Sequence, residues 1–505
     1  MKLPPLKYSE QITKGQLIAF GGLNYSEGAR EGELSDSIAL SSRNYPSISQ
    51  RKGRRRLEGY TSPTALFSKG ALCVVDGDGF HYDGVRVGSV AEGEKYFASI
   101  GNKVVIFPDK LYYDIETGEF GGLEELYISS VNQITFTSNS IITSGAPFSF
   151  APGDAVEITG CSANPENNKL PIIREATGGT LTFYDNTFTA GAEPGSIRIH
   201  RKVPDLAYIC ESNNRIWGVS GQTVYGSALG DPFNFHRYDG LSTDSFAVAV
   251  GSDGEFTGVV PYASHICFFK EDALHKLYGS KPSNYQISTS QVQGIQRGCA
   301  KSARVINETL FFKGRGGVYA YTGGVPELIS VAFGTKRFDE AAAEGDGETL
   351  YVSMKSEGKW GLYTFDTLRG FWLKEDDTEA LDFTFLDGTV YFINAKDNGI
   401  YAITDEKEMI PWLCELAPFT EASAEKKGYS RLSVQFELED GAWLAVEVNT
   451  DGSGWKTVYT THDERARVFY VPIFPARCDS FQVRFSGIGG CKIRSLTRYF
   501  HRYQS

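Results

Sequence analysis

Apolar residues occur along much of the chain in short runs, each bounded by Gly, Asn or Asp. Seven segments repeat one pattern: an apolar strand, a turn, and a second strand that carries an aromatic residue. These segments are ALCVVDGDGFHYDG from 71, KVVIFPDKLYYD from 103, RIWGVSGQTVYGS from 215, HICFFKEDALHKLYG from 265, TLFFKGRGGVYAY from 309, TLYVSMKSEGKWGLYTFD from 349 and TVYFINAKDNGIYAI from 389. The pattern predicts a series of β-hairpins.

The spacing of these hairpins indicates a repeat architecture. Their starts lie 32, 112, 50, 44, 40 and 40 residues apart. All intervals but the second match a four-stranded propeller blade of roughly 40 to 50 residues, in which the hairpin supplies two strands. The sequence therefore predicts an all-β protein with a β-propeller of six to eight blades, placed at 61–120 and 204–405.

The long second interval predicts an inserted domain at 121–203. Its short alternating strands, with frequent turns, favour a small β-barrel or sandwich. Five of its acidic and amide residues raise the possibility of calcium: Asp154, Glu157, Glu166, Asn167 and Asn168. Their spacing matches no EF-hand loop, and turn chemistry explains Asn and Asp equally well. We therefore predict no metal site.

The two ends of the chain do not follow the repeat. Alternating apolar and polar positions predict an antiparallel β-sandwich at 406–505, with Asp451-Gly452 as a hairpin turn. The segment between Cys478 and Cys491 is expected to form a hairpin that keeps the two thiols apart. Residues 1–60 are assigned to an N-terminal arm and the first propeller strands.

Composition supports the all-β prediction and limits the function. The 505 residues include 55 Gly, 3 Met and 13% aromatic residues, a balance that favours strands and turns. The net charge of −12 argues against a general binder of nucleic acid or anionic membranes. No apolar stretch suggests a signal peptide or membrane span, so we expect a soluble protein made in the cytosol. The eight scattered cysteines are expected to be buried free thiols.

Candidate enzymatic chemistry is weak. His236 lies between Asp231 and Asp239 in GDPFNFHRYDG, but the chain has no GxSxG turn for a serine nucleophile. Its neighbours are aromatic, and we interpret it as a hydrogen-bonded histidine in a linker between repeats. Phosphate-binding loops are absent. A pair of carboxylates suited to glycoside hydrolysis remains an open alternative, because the sequence does not reveal the distance between two carboxylates in the fold. We predict no enzymatic activity and no cofactor.

One basic run stands out in the N-terminal region, and it is the candidate site of the sequence. It consists of Arg51, Lys52, Arg54, Arg55 and Arg56. Such a run is usually a solvated strand end or loop. The functional alternative is contact with a polyanion or with another subunit, since Arg and Lys neutralise phosphates without reading sequence.

Three segments carry a family resemblance: SSRNYPSISQRKGRRRL from 41, the stretch 227–279 and CDSFQVRFSGIGGCKIRSLTRYF from 478. The second contains GDPFNF, then GSDGEFTGVVPY, then FKEDAL. These phrases resemble bacteriophage tail proteins of the podophage nozzle, or DNA-stabilisation, type. The resemblance extends from about 35 to 498, with the insert variable in the family.

The resemblance implies a structural virion protein. Family members form a ring, usually of six propellers, that closes the tail channel on packaged DNA and carries fibres or a needle. The expected partners are therefore copies of the chain, other tail proteins (an adaptor, fibres or a needle) and DNA that passes without sequence-specific binding. The expected location is the virion tail, after synthesis in the bacterial cytoplasm. Acidic walls fit this role because they repel phosphates.

Two alternatives stay open. The chain could be a tail-tip or baseplate protein of a long-tailed phage that binds the host surface through the insert or the C-terminal sandwich. It could also be a propeller glycosidase or lyase.

Overall fold

A computed structural model describes most of the chain, and all structural statements below refer to the described residues. These are residues 12–184, 187–463, 467–474 and 477–503. Residues 1–11 of the predicted N-terminal arm lie outside them. The described part is all β, which confirms the predicted class: it contains antiparallel sheets and no α-helix. Its helical turns are of the 3-10 type, at Pro165–Asn167, Pro282–Asn284, Ala300–Ser302 and Val331–Phe333. Among these residues no helix has the length and apolar character needed to cross a membrane.

The chain divides into two compact units. One is Ser62–Arg315, and the other combines Met1–Thr61 with Gly316–Ser505. The second unit therefore brings the two ends of the chain into one structure, which the sequence did not predict.

Four sheets of the 62–315 unit share one design, in which each of four strands pairs with the next strand of the chain. The 63–89 sheet contains Pro63–Lys69, Ala71–Asp76, Gly79–Tyr82 and Val85–Ser89. The 96–122 sheet contains Tyr96–Ile100, Lys103–Phe107, Leu111–Asp114 and Phe120–Gly122. The 209–249 sheet contains Ile209–Ser212, Arg215–Ser220, Thr223–Gly226 and Phe246–Ala249. The 256–290 sheet contains Phe256–Tyr262, His265–Lys270, Ala273–Tyr278 and Gln286–Ser290. A strand pair, Arg304–Ile306 with Thr309–Gly314, follows them.

The core of this unit lies between successive sheets. The second strand of each sheet is almost continuously apolar, and such a strand must be covered on both faces. Val75 of the 63–89 sheet shares a buried cluster with Ile106 of the 96–122 sheet. Trp217 of the 209–249 sheet likewise packs with Phe268 of the 256–290 sheet. Burial of these side chains stabilises the fold by about 25 cal/mol for each Å² of apolar surface that is removed from water.

The segment after the 96–122 sheet forms two sheets of its own. A three-stranded sheet contains Glu125–Ile128, Arg198–Arg201 and Glu157–Thr159. A five-stranded sheet contains Ile173–Thr177, Thr180–Phe183, Ser140–Thr143, Ile134–Phe136 and Gly191–Glu193. These sheets enclose a separate buried cluster that includes Phe136, Phe183 and Ile199. We call residues 125–201 the insert.

The other unit contains two more four-stranded sheets. The 340–376 sheet contains Glu340–Gly345, Thr349–Ser356, Lys359–Asp366 and Phe371–Asp376. The 380–404 sheet contains Ala380–Leu386, Thr389–Asn394, Gly399–Thr404 and, from the other end of the chain, Gly53–Leu57. A strand pair, Gly317–Tyr321 with Glu327–Leu328, precedes them.

The last two sheets combine C-terminal strands with N-terminal ones. The five-stranded sheet contains Leu34–Ile38, Pro411–Leu416, Phe481–Ile488, Trp443–Thr450 and Lys456–Thr461. The seven-stranded sheet contains Leu40–Ser41, Ile48–Gln50, Cys491–Tyr503, Lys426–Leu438, Arg467–Pro472, Thr13–Leu17 and Arg477–Cys478. Tyr429 of one sheet stacks on Phe481 of the other, with ring centroids 3.9 Å apart.

These sheets settle three expectations about the chain ends. Most strands of 1–60 enter the last two sheets, and only Gly53–Leu57 enters a four-stranded sheet. That this strand belongs to a propeller stays a prediction. The predicted turn at Asp451 is confirmed, since the strands on either side of it pair. The expected hairpin between Cys478 and Cys491 is wrong, because Phe481–Ile488 and Cys491–Tyr503 lie in different sheets. All eight cysteines are nevertheless buried and free, as predicted.

Candidate functional site

The basic run that the sequence singled out is part of an edge strand. Gly53–Leu57 pairs on one side with Gly399–Thr404 and lies at the end of the strand order of its sheet. Because neighbouring side chains of a strand point to opposite faces, Arg54 and Arg55 are separated. The structure thus divides the five basic residues into a buried group and an exposed group.

Arg51 and Arg54 form the buried group. Arg54 donates from Nη2 to Glu375 Oε2 at 2.7 Å and from Nη1 to Asp376 Oδ2 at 2.8 Å. Arg51 Nη2 lies 3.1 Å from Glu408 Oε2. The side chain of Arg54 is only 9% exposed, and that of Arg51 is only 7% exposed. We call these five residues the arginine cluster.

Burial and pairing act in opposite directions on the cluster. Burial raises the pKa of Glu375 above its ordinary value, although Arg54 and Arg51 lower it. At Asp376 burial also raises the pKa, but Arg54, Thr378 and Arg51 together outweigh burial and the pKa is lowered. Burial lowers the pKa of Arg54, but the two carboxylates outweigh burial and the pKa is raised. The arginines are therefore required within the chain to compensate buried carboxylates.

The exposed group contains Lys52, Arg55 and Arg56. Lys52 is 31% exposed and lies 3.7 Å from Asp346. Arg55 is 60% exposed and lies 3.8 Å from the equally accessible Glu406. Arg56 donates a long hydrogen bond of 3.4 Å to the carbonyl of Asp397. The predicted contact with a partner stays a prediction, and these three residues are the ones available for it.

The GDPFNF phrase has a local role that sequence reasoning missed. Asn234, which is buried, donates from Nδ2 to Asp154 Oδ1 at 3.1 Å and to Asp231 Oδ2 at 2.7 Å. Its Oδ1 accepts from the backbone N–H of Ala155 at 3.0 Å. Asp154 and Ala155 belong to the insert, so Asn234 fastens the insert to the 209–249 sheet.

An arginine completes this attachment. Arg201, at the end of the insert, donates to Asp154 Oδ2 at 2.7 Å. Its guanidinium also lies over the ring of Phe233, 5.0 Å from the centroid. We call Asp154, Arg201, Phe233 and Asn234 the insert anchor. The signal available in the sequence was an Asn two residues after Asp231-Pro232, but the Asp154 that it contacts lies 80 residues away.

No model of a protein family and no curated protein matches the chain. Among solved structures it is similar to Hsv2 of Kluyveromyces lactis, with 13% identity and a TM-score of 0.28 over 53% of this chain and 71% of that one. It is also similar to Hsv2 of Kluyveromyces marxianus, with 7% identity and a TM-score of 0.27 over 63% and 98%. The extracellular domain of a hybrid two-component system of B. thetaiotaomicron has 11% identity and a TM-score of 0.38 over 88% and 62%, so the chain spans less than two thirds of it.

His236 follows the anchor in a segment that joins Thr223–Gly226 to Phe246–Ala249. Both strands belong to the same sheet, so the expectation that this segment links successive repeats is wrong. The imidazole meets the Tyr225 ring edge-on, with centroids 6.3 Å apart. Burial and Lys202 lower the pKa of His236, which keeps the ring neutral at neutral pH. That activity does not depend on His236 stays a prediction.

A second histidine, His200, lies in the same cleft as His236, beside Lys110 and Lys202. Burial lowers the pKa of His200, Glu124 opposes this, and Lys202 adds to it. Two imidazoles therefore lie at the base of the insert in their neutral form. Their protonation would add positive charge to a cleft that also holds two lysines and the carboxylates of Glu124 and Asp205.

Four of the five residues considered for calcium form other contacts. Asp154 belongs to the anchor, and Glu157 pairs with Lys202. Asn167 donates to the Thr189 carbonyl, and Asn168 donates to the Cys161 carbonyl. In the part of the chain that the structure describes, no three His, Cys, Asp or Glu side chains converge in a manner suited to a metal ion.

Proposed function

We propose that the chain is a structural protein of a bacteriophage tail, in which identical copies form a ring that closes the DNA channel and links to other tail proteins. The resemblance of three segments to nozzle-type proteins motivates this proposal. Its architecture would be a β-propeller with the insert as a small β-barrel and the last two sheets as a β-sandwich.

The series of sheets supports seven blades within the predicted six to eight. Six complete four-stranded sheets each lie within one of the two units. Two strand pairs, at 304–314 and 317–328, would supply the seventh blade. In this arrangement Gly53–Leu57 supplies the fourth strand of the last blade. A strand from the other end of the sequence would then close the propeller, and the arginine cluster would hold it in place.

The observation that carries the proposed assembly is the exposure of Arg55 and Arg56 on an edge strand. The whole chain has a net charge of −12, so another copy carries more carboxylates than cations to meet these arginines. The pairing of Arg55 with Glu406 is exposed and weak, at roughly 0 to 1 kcal/mol, and it can be exchanged for a carboxylate of a neighbour. The edge strand also leaves backbone groups available for such a contact.

The same charge balance argues for a protein partner rather than DNA at this strand. Each phosphate contact releases a counterion, so two exposed arginines alone would give weak, salt-sensitive binding to DNA. Long-range repulsion by an acidic protein would weaken it further. A channel protein needs DNA to slide past, which this balance favours.

The experiment is electron microscopy and native mass spectrometry of the full chain and of Arg55→Glu/Arg56→Glu. We expect the wild type to form closed rings, and the variant to dissociate because like charges would face each other. The matched control is Lys359→Glu/Lys456→Glu, which makes the same charge change at two other exposed positions of the same unit. It should keep the ring.

Three results would count against the proposal. Rings that persist in the arginine variant would remove the role of the edge strand. A wild-type trimer or monomer would favour the host-surface-binding alternative. Cleavage of a host polysaccharide that is lost on substitution of one carboxylate would favour the glycosidase or lyase alternative.

A further inference from the structure

We propose that a polar cavity at one end of the 256–290 sheet binds a single neutral sugar unit. The cavity has a volume of about 300 Å³, and its lining includes Asp253, Glu255, Thr257, Lys270, Arg297 and Arg315. All of these residues lie within the 62–315 unit. This size is at the lower end for small-molecule sites, which suits one monosaccharide. The inference does not depend on the tail function proposed above.

The first observation is the hydroxyl of Thr257. This residue is only 1% exposed and lines the cavity, yet its Oγ1 has no hydrogen-bond partner among the described residues. Buried polar side chains are nearly always hydrogen-bonded, so an unpaired one requires an explanation. A ligand hydroxyl bonded to Thr257 would provide the missing partner.

The second observation is the ammonium group of Lys270, which is 2% exposed. It donates to Gln222 Oε1 and to the carbonyl of Ser252, each at 2.6 Å. Both acceptors are neutral, and an ammonium has three N–H donors. Nζ also lies 4.9 Å from the centroid of the Phe256 ring, and its third N–H has no oxygen acceptor among the described residues, so an oxygen in the cavity can take it.

The rim of the cavity places donors and acceptors side by side. Arg297 pairs with Glu255 at 2.5 Å, and Arg315 pairs with Glu271 at 2.7 Å. Asp253 is exposed and forms no ion pair within the described residues. A sugar hydroxyl both donates and accepts, so it can bond to a carboxylate and a cation at once.

The charge count selects a neutral ligand. The lining contains four carboxylates, those of Asp253, Glu255, Glu271 and Asp272, against three cations. An anionic ligand would add a fifth negative charge to this set and would be repelled. The polar lining also disfavours aromatic or lipid ligands, which need apolar walls. A neutral polyhydroxyl compound meets all of these conditions.

The test is calorimetric titration of the full chain with D-glucose, D-galactose, D-mannose and N-acetyl-D-glucosamine. We expect at least one to bind with a Kd of about 1 mM or lower, because several hydrogen bonds offset its desolvation. Thr257→Val removes the hydroxyl at constant size and should weaken this binding about tenfold, the effect of one hydrogen bond. The control Thr223→Val, on a neighbouring sheet and outside the cavity, should bind as the wild type does.

Two further arms keep the proposal falsifiable. Asp253→Asn changes an exposed carboxylate, so it should fold normally and also weaken binding, even if Thr257→Val fails to fold. D-glucuronate should bind more weakly than D-glucose. Failure of all four sugars to bind, equal binding by Asp253→Asn and the wild type, or tighter binding of glucuronate would each overturn the proposal.

Discussion

The arginine cluster and the insert anchor both bury a guanidinium against a carboxylate, but they differ in what they connect. In the cluster Arg54 meets Glu375, which is 321 residues away along the chain. In the anchor Arg201 meets Asp154, only 47 residues away, within the same insert. The first contact therefore holds the two ends of the sequence in one unit, whereas the second holds a local segment.

The two sites also differ in how the buried charges are compensated. The cluster sets two arginines against three carboxylates, and burial is the largest influence on the pKa of Glu375 and Asp376. The anchor has one ion pair and transfers the remaining bonds to the neutral amide of Asn234. Since an unpaired buried charge costs far more than an unpaired amide, the cluster is the more sensitive of the two.

The largest expected effect is that of Arg54→Met. This change leaves the buried Glu375 and the partly exposed Asp376 without their shared arginine. Loss of one partner of a buried ion pair costs about 3–5 kcal/mol. We expect the free energy of unfolding to fall by that amount in urea titrations. The control Arg55→Met, an exposed position on the same strand, should change it by less than about 0.5 kcal/mol. Equal effects of the two substitutions would show that the cluster does not stabilise the unit.

The difference between the two sites also explains what the sequence could predict. Hairpins and the all-β class follow from the local pattern of apolar strand, turn and aromatic strand, which residues 71–84 or 389–403 display by themselves. The insert follows from the long interval between two of these repeats. The role of Arg54 does not follow, because its neighbours in sequence are basic and its partner is 321 residues away. Pairing between strands from the two ends of the chain could not be predicted either, since nothing in Leu34–Ile38 indicates that it pairs with Pro411–Leu416.

From the sequence, only the basic composition of the candidate site could be predicted. The run at 51–56 was identified as basic, but its division into buried and exposed residues depends on which carboxylates approach the strand. His236 drew attention because its neighbours include Asp231 and Asp239. The structure shows instead that Asn234, an inconspicuous residue of the same phrase, makes the long-range contacts.

The next effect in size is that of Asn234→Ala in the insert anchor. It leaves the Ala155 N–H and one oxygen of Asp154 without a partner, at a cost of about 1–3 kcal/mol. Because the insert has its own core, we expect local loosening: faster proteolysis at the ends of the insert with little change in the main unfolding transition. Asn102→Ala, at an exposed turn of the same unit, is the control and should leave the digestion pattern unchanged. A loss of stability as large as that of Arg54→Met would mean that the anchor is as global as the cluster.

The smallest expected effect at neutral pH comes from His200 and His236. It distinguishes the insert anchor from the arginine cluster. Burial lowers the pKa of both in the folded protein, so below about pH 6.5, the ordinary value for histidine, the unfolded chain binds more protons than the folded one. Their contribution to stability is therefore complete above that pH and is lost as the pH falls through the lower folded-state values.

The arginine cluster contains no histidine, so acidification from pH 7 to 5 should expose the ends of the insert to protease while the strand Gly53–Leu57 stays resistant. His200→Gln/His236→Gln should remove this acid sensitivity, and His81→Gln, elsewhere in the same unit, should preserve it. If the double variant opens at the same pH as the wild type, protonation of this cleft does not control the insert.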